Sequence, residues 1–152
     1  MTQKITLQMT ADHHFSMADG RNIEALNPKE LLLYASLECL AHTITSLLKE
    51  RIKALKNLEL TLEGTLSTPT VVAESIYTHF NVIYNAECHD IKEQEVVSRA
   101  VNLAHDQYCG MLQMLRKIAP MTHVTSIVAT EKQKRLPGPY IRGGLNICKL
   151  QN

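Results

Sequence analysis

Two stretches of this chain, residues 31–48 and 96–118, carry apolar side chains at helical spacing over several turns, and any fold must find cover for both. The first is apolar nearly all round through Leu31, Leu37, Leu40 and Ile44 and becomes one-sided only near Lys49, Glu50 and Arg51. The second repeats the pattern through Val97, Val101, Leu112 and Leu115. Two such helices offer more hydrophobic surface than a small sheet easily covers. Each also carries a cysteine: Cys39 in the first, Cys109 in the second.

The rest of the chain supplies strands. Residues 3–10 alternate Ile5, Leu7 and Met9 with polar neighbours, residues 13–17 do so around Phe15 and Met17, and Asp19-Gly20 is turn chemistry. Asn27-Pro28 opens the first helix, because asparagine accepts a bond from an orphan N–H and proline is pre-set for the first helical position. This helix is expected to run to Leu55. Residues 58–64 and 75–85, the latter with Ile76, Phe80 and Val82 on one face, read as an antiparallel pair. Asp90 caps a second helix over residues 92–118, which Pro120 stops. Residues 122–130 read as a further strand, and 131–144 as a loop or a partner-binding arm, broken by Pro137, Gly138, Pro139, Gly143 and Gly144, in a tail made locally basic by Lys132, Lys134, Arg135, Arg142 and Lys149. A last strand is expected near Leu145–Leu150. The order is β-β-α-β-β-α-β: an α+β domain with antiparallel sheet, hairpin-connected around two long helices.

At 152 residues the chain forms one domain, residues 1–152, with a substantial core. A net charge of +1 gives no electrostatic reason to expect nucleic acid as a partner. No signal peptide is evident, and no apolar run approaches a membrane span, so no membrane partner is expected. Four cysteines, Cys39, Cys88, Cys109 and Cys148, are widely spaced in a chain that needs no staples; the cytoplasm is the expected location, where paired cysteines are redox-active or metal-linked rather than architectural. Nucleotide-binding, serine-hydrolase and HExxH signatures are absent, as is any CxxC, and no cofactor is expected.

What remains is Cys39-x-x-His42 on one helix and His105-x-x-x-Cys109 on the other, at spacings that place side chains on one helical face. Three readings stay open. In a redox reading, one thiolate attacks a peroxide, becomes a sulfenic acid and is captured by the other thiol, provided their Cα atoms approach within about 7 Å. In a metal reading, Cys39, His42, His105 and Cys109 hold a tetrahedral zinc. In the plainest reading the thiols only pack.

The segment Asn27-Pro28-Lys29-Glu30-Leu31-Leu32-Leu33 through Cys39 and on to Ser46-Leu47-Leu48-Lys49 resembles the first cysteine helix of the osmotically inducible protein C and organic hydroperoxide resistance family. Arg99-Ala100-Val101-Asn102-Leu103-Ala104, leading to Tyr108-Cys109 and Met114-Leu115, is similar to its second. Together the likeness covers roughly residues 15–130. Tyr108 before the cysteine is the pattern of the less characterised branch.

The resemblance implies an OsmC-like fold, an intertwined homodimer and reduction of organic hydroperoxides at sites between subunits. A thiol reductant of unspecified identity regenerates the protein. Cys39 matches the peroxide-attacking position and Cys109 the resolving one; Cys88 and Cys148 match nothing functional. In that family a glutamate directly after the helix-opening proline holds an arginine over the reactive sulfur. Here Lys29 takes that place, Glu30 is the candidate one residue on, and Arg21 is the one arginine in the N-terminal region. His42, His105 and Glu38 are the alternative activating groups. A non-catalytic protein of the same fold, binding zinc or a small apolar ligand, is the competing function.

Overall fold

The structure, a computed structural model, describes residues 1–130. The basic loop at 131–144 and the strand expected near Leu145–Leu150 lie outside the described residues. Strand β1 (Thr2–Met9) turns back into the short β2 (Phe15–Met17), and a single 3-10 turn (Ile23–Ala25) leads to helix α1 (Pro28–Leu48). Strands β3 (Leu55–Leu66) and β4 (Tyr77–Cys88) follow, then α2 (Ile91–Leu103), α3 (Gly110–Ile118) and β5 (Met121–Ala129). The sheet order is β2-β1-β3-β4-β5.

The helix starts form as their sequences dictate. Asn27 Oδ1 accepts the Lys29 and Glu30 amides at 3.0 and 3.1 Å, while Glu30 Oε2 accepts the Asn27 amide at 3.1 Å, a reciprocal cap with Pro28 at the first helical position. Asp90 Oδ1 accepts the Glu93 amide at 2.9 Å and opens α2 in the same way. The α-helical part of α1 ends at Leu48, seven residues before the expected Leu55, because Lys49 takes a positive φ of 49° and a 3-10 segment, Lys49–Ala54, carries the chain into β3.

By length and composition Pro28–Ala54 is long and apolar enough to cross a membrane, although Ser36, Glu38 and Thr43 interrupt its apolar run. That corrects the expectation that no apolar run approaches a membrane span. Here its Leu33, Leu37, Leu40, Ile44 and Leu48 are buried, and the helix packs on β1 and β3.

β3 and β4 form the expected antiparallel pair, in register at Leu62↔Val82. The face of β4 begins one residue later than its sequence suggested: Tyr77, Phe80, Val82 and Tyr84 are buried, and Ile76 lies 65% exposed before the strand. The direction of β5 is a correction. It runs parallel to β4, from Phe80↔Met121 to Cys88↔Ala129, so the sheet is mixed rather than antiparallel. Helices α2 and α3 bridge the two strands as a crossover, which returns the chain to the end from which β4 started.

The second apolar helix is also not continuous. A π-helical turn, Ala104–Tyr108, separates α2 from α3, with the Cys109 amide donating to the carbonyl of Ala104 at 2.9 Å. The buried residues explain it. Val97, Val101 and Ala104 recur at helical spacing with His105 buried beside them, but Cys109, whose sulfur meets Cys39, lies five residues beyond Ala104, followed by Leu112. In a straight helix five residues overshoot a full turn by about 140°. One extra residue in the turn removes about 100° of that and keeps Cys109 and Leu112 on the side facing α1.

Candidate active site

Cys39 sits on the part of α1 that faces α3, half-buried, and Cys109 sits fully buried at the start of α3. Their sulfurs are 3.6 Å apart, with the Cys109 thiol donating to Cys39 Sγ. The two cysteines that the sequence singled out are therefore brought together. Burial pushes the Cys109 thiol up to about 11, against the opposing pull of the Leu112 and Met111 amides at the α3 N-terminus. Cys39 borders an open cavity of about 510 Å³ lined by His42, Thr43, Ser46, Leu47 and Tyr108. Of the two thiols, Cys39 is the one that meets solvent.

The histidines do not join them. The His42 side chain is 79% exposed and leans on Glu38 at 3.7 Å, and Glu38 in turn accepts a hydrogen bond from Tyr34 at 2.9 Å. The π-helical turn sets Cys109 over Ala104 instead of His105, so the spacing that suggested a shared face fails there. His105, 5% exposed, points into a separate cluster: its Nδ1 lies 2.7 Å from Tyr84 Oη and its ring packs on His123 at 4.2 Å between centroids. Among the described residues no group of three or more histidine, cysteine, aspartate or glutamate side chains is arranged to hold a metal. The four-ligand zinc reading is overturned by that geometry.

Burial, with the His123 ring and Arg116 beside it, lowers the His105 pKa to about 3, so this imidazole is neutral and shares one hydrogen bond with the Tyr84 hydroxyl. Burial foremost, and then charge on Cys109, raises the Tyr84 phenol well above its ordinary range. Tyr84 and His123 were missed in the sequence. Strand alternation does put Tyr84 on the inner face, but nothing local to His123 shows that β5 brings it alongside α2.

Glu30 pairs with Arg21. Arg21 Nη1 donates to Glu30 Oε1 at 3.1 Å while its Nε donates to Asp19 at 2.7 Å. Glu30 is nine residues before Cys39 on one helix, which places it about 14 Å along the axis and half a turn round. Within one chain the Arg21–Glu30 pair therefore faces away from the thiols. Cys88 is buried at the end of β4 with its pKa pushed to about 11, again by burial, and takes no part in the site.

Residues 19–124 match the family described as OsmC-like protein. The chain is 30% identical to Protein YhfA of Escherichia coli strain K12 over 121 residues, covering 79% of this chain and 87% of that one. A structural-genomics structure superposes with a TM-score of 0.54 at 27% identity over 86% of this chain and 99% of its own. A hypothetical protein from Aquifex aeolicus VF5 gives 0.57 at 20% identity, covering 86% and 97%. An OsmC like protein from Mycoplasma pneumoniae gives 0.51 at 12% identity, covering 84% and 96%. The last two speak for the fold alone.

Proposed function

We propose, from the premise that this chain belongs to the OsmC-like protein family, that it reduces organic hydroperoxides with Cys39 and Cys109. The observation that carries this reading is the 3.6 Å separation of the two sulfurs, one at a solvent-open cavity and one buried behind it. The division of labour follows from burial. A thiol held near 11 is almost entirely protonated at neutral pH and is a poor first nucleophile, so Cys39, which borders the open cavity, attacks.

In the first step the Cys39 thiolate attacks the terminal oxygen of the hydroperoxide, the O–O bond breaks, and the leaving alkoxide takes a proton to become an alcohol. Cys39 is oxidised to a sulfenic acid. In the second, the Cys109 sulfur displaces the sulfenic hydroxyl, which leaves as water with the Cys109 proton, and a disulfide forms. That bond needs about 2.05 Å between sulfurs, so they close by about 1.5 Å from their present 3.6 Å. A thiol reductant returns two electrons and two protons, which suits a reducing compartment. Apolar Leu47 and Tyr108 beside Cys39 favour a hydroperoxide with an organic substituent.

The Arg21–Glu30 pair faces away from Cys39 of its own chain, so in this reading a second copy of the chain supplies it and the active form is a homodimer. Peroxide consumption by the Cys39→Ser variant tests the assignment: it is expected to vanish, and unchanged turnover would overturn it.

A further inference from the structure

A second cleft, of about 660 Å³, lies at the far end of α1 between the Lys49–Ala54 segment and α2. Its apolar floor includes Leu47, Val96, Ala100 and Leu103, and three cations, Lys49, Arg51 and Arg99, stand around its mouth with the carboxylates Glu50 and Glu95. None of the three cations makes an ion pair among the described residues. The thiol chemistry uses none of them.

Two further observations bear on what this cleft takes. Lys49 holds φ 49° and ψ −122°, a conformation that side-chain-bearing residues rarely adopt. Strain of this kind concentrates at binding and catalytic sites, and here it falls on a cation at the cleft. Leu47 lines both this cleft and the cavity beside Cys39, so the two are neighbours along α1 with an apolar side chain between them. Lys49 is ten residues beyond Cys39, about 15 Å along the helix. An anionic head with an apolar tail of that reach matches both ends.

We propose that the cleft is a binding site for a medium- to long-chain alkyl carboxylate, its head held by Arg51, Arg99 and Lys49 and its tail laid over Leu47 towards Cys39. Charge complementarity selects the head: guanidinium groups pair a carboxylate through two parallel hydrogen bonds. The apolar floor selects the tail. Binding does not depend on thiol reactivity and is measurable whether or not the protein reduces peroxides.

The test is calorimetric titration of the full chain with dodecanoate, kept below its aggregation concentration, and with methyl dodecanoate. Dodecanoate is expected to bind saturably at one site per chain, to weaken by about tenfold or more in the Arg51→Gln/Arg99→Gln variant, and to weaken with added salt. Both arginines are exposed, so the variant keeps its core. Bound dodecanoate is also expected to slow alkylation of Cys39, and the uncharged ester to bind no differently to the variant. Absence of saturable binding, or equal dodecanoate affinity in the variant, would overturn the proposal. So would a variant whose change is in oligomeric state by size-exclusion chromatography with no dodecanoate binding, since a second copy would then occupy the cleft.

Discussion

The Cys109 thiol donates a hydrogen bond to Cys39 Sγ across 3.6 Å, although the two residues belong to helices on either side of a strand pair in the sequence. One sulfur is buried and held protonated, while the other faces a cavity. That asymmetry orders their reactivity.

Alkylation reports the order directly. At pH 7.5 a small maleimide is expected to label Cys39 at least about tenfold faster than Cys109, because Cys109 is both enclosed and pushed to about 11. Peptide mapping of a time course checks this. Faster labelling of Cys109 would reverse the roles proposed for the two thiols.

His105 makes stability depend on pH on the acid side. Its pKa is depressed from 6.5 to about 3, so below 6.5 the unfolded chain binds a proton that the folded chain refuses. The contribution is fully present above about pH 6.5 and is lost as pH falls towards 3, by at most roughly 1.4 kcal/mol per pH unit. Urea melts at pH 7, 5 and 4 measure the slope. His105→Phe is expected to flatten it while costing stability at pH 7, since Tyr84 loses its hydrogen-bond partner. Cys88 and Cys109 act at the other end: both are raised from 9.0 to about 11, so stability is expected to fall as pH climbs through that interval.

Gly64 is fixed by its neighbour. A Cβ there would lie 2.7 Å from Cδ1 of Tyr77, whose hydroxyl is 2.9 Å from both Gln3 Oε1 and the Lys29 carbonyl. Gly64→Ala is expected to destabilise by about 1–3 kcal/mol, because the ring cannot move without breaking those bonds. Adding Tyr77→Leu is expected to cost less than the sum of the two single changes, as residues in contact do. Denaturant titration of the three variants measures the coupling.

Arg21 separates helix capping from catalysis. Its ion pair with Glu30 is partly exposed and worth under about 1 kcal/mol, so Arg21→Ala is expected to leave stability nearly unchanged. Asn27→Ala removes the cap and is expected to cost about 1 kcal/mol. If a second copy brings Arg21 to Cys39, only Arg21→Ala lowers the rate of peroxide consumption by a large factor at unchanged stability.

Much of this was legible before the fold was known, for identifiable reasons. Asn27-Pro28 and Asp90 cap helices with chemistry local to a few residues, and the β3–β4 pair follows from alternation. Cys39 and Cys109 stood out because each sits on an apolar helix. Three of the errors concern relations that local sequence does not encode. The parallel pairing of β5 depends on how α2 and α3 cross the sheet. The π-helical turn depends on which residues must face α1, and once it forms, the expected pairing of His105 with Cys109 is lost. His123 meets His105 only because β5 lies beside β4.

The central claim is that Cys39 and Cys109 are a working redox pair, and one measurement bears on it most directly: mass spectrometric mapping of cysteine linkages in the full chain before and after one equivalent of an organic hydroperoxide. Rapid formation of a Cys39–Cys109 disulfide, with Cys88 and Cys148 left reduced, is the predicted result; four free thiols after treatment would contradict it.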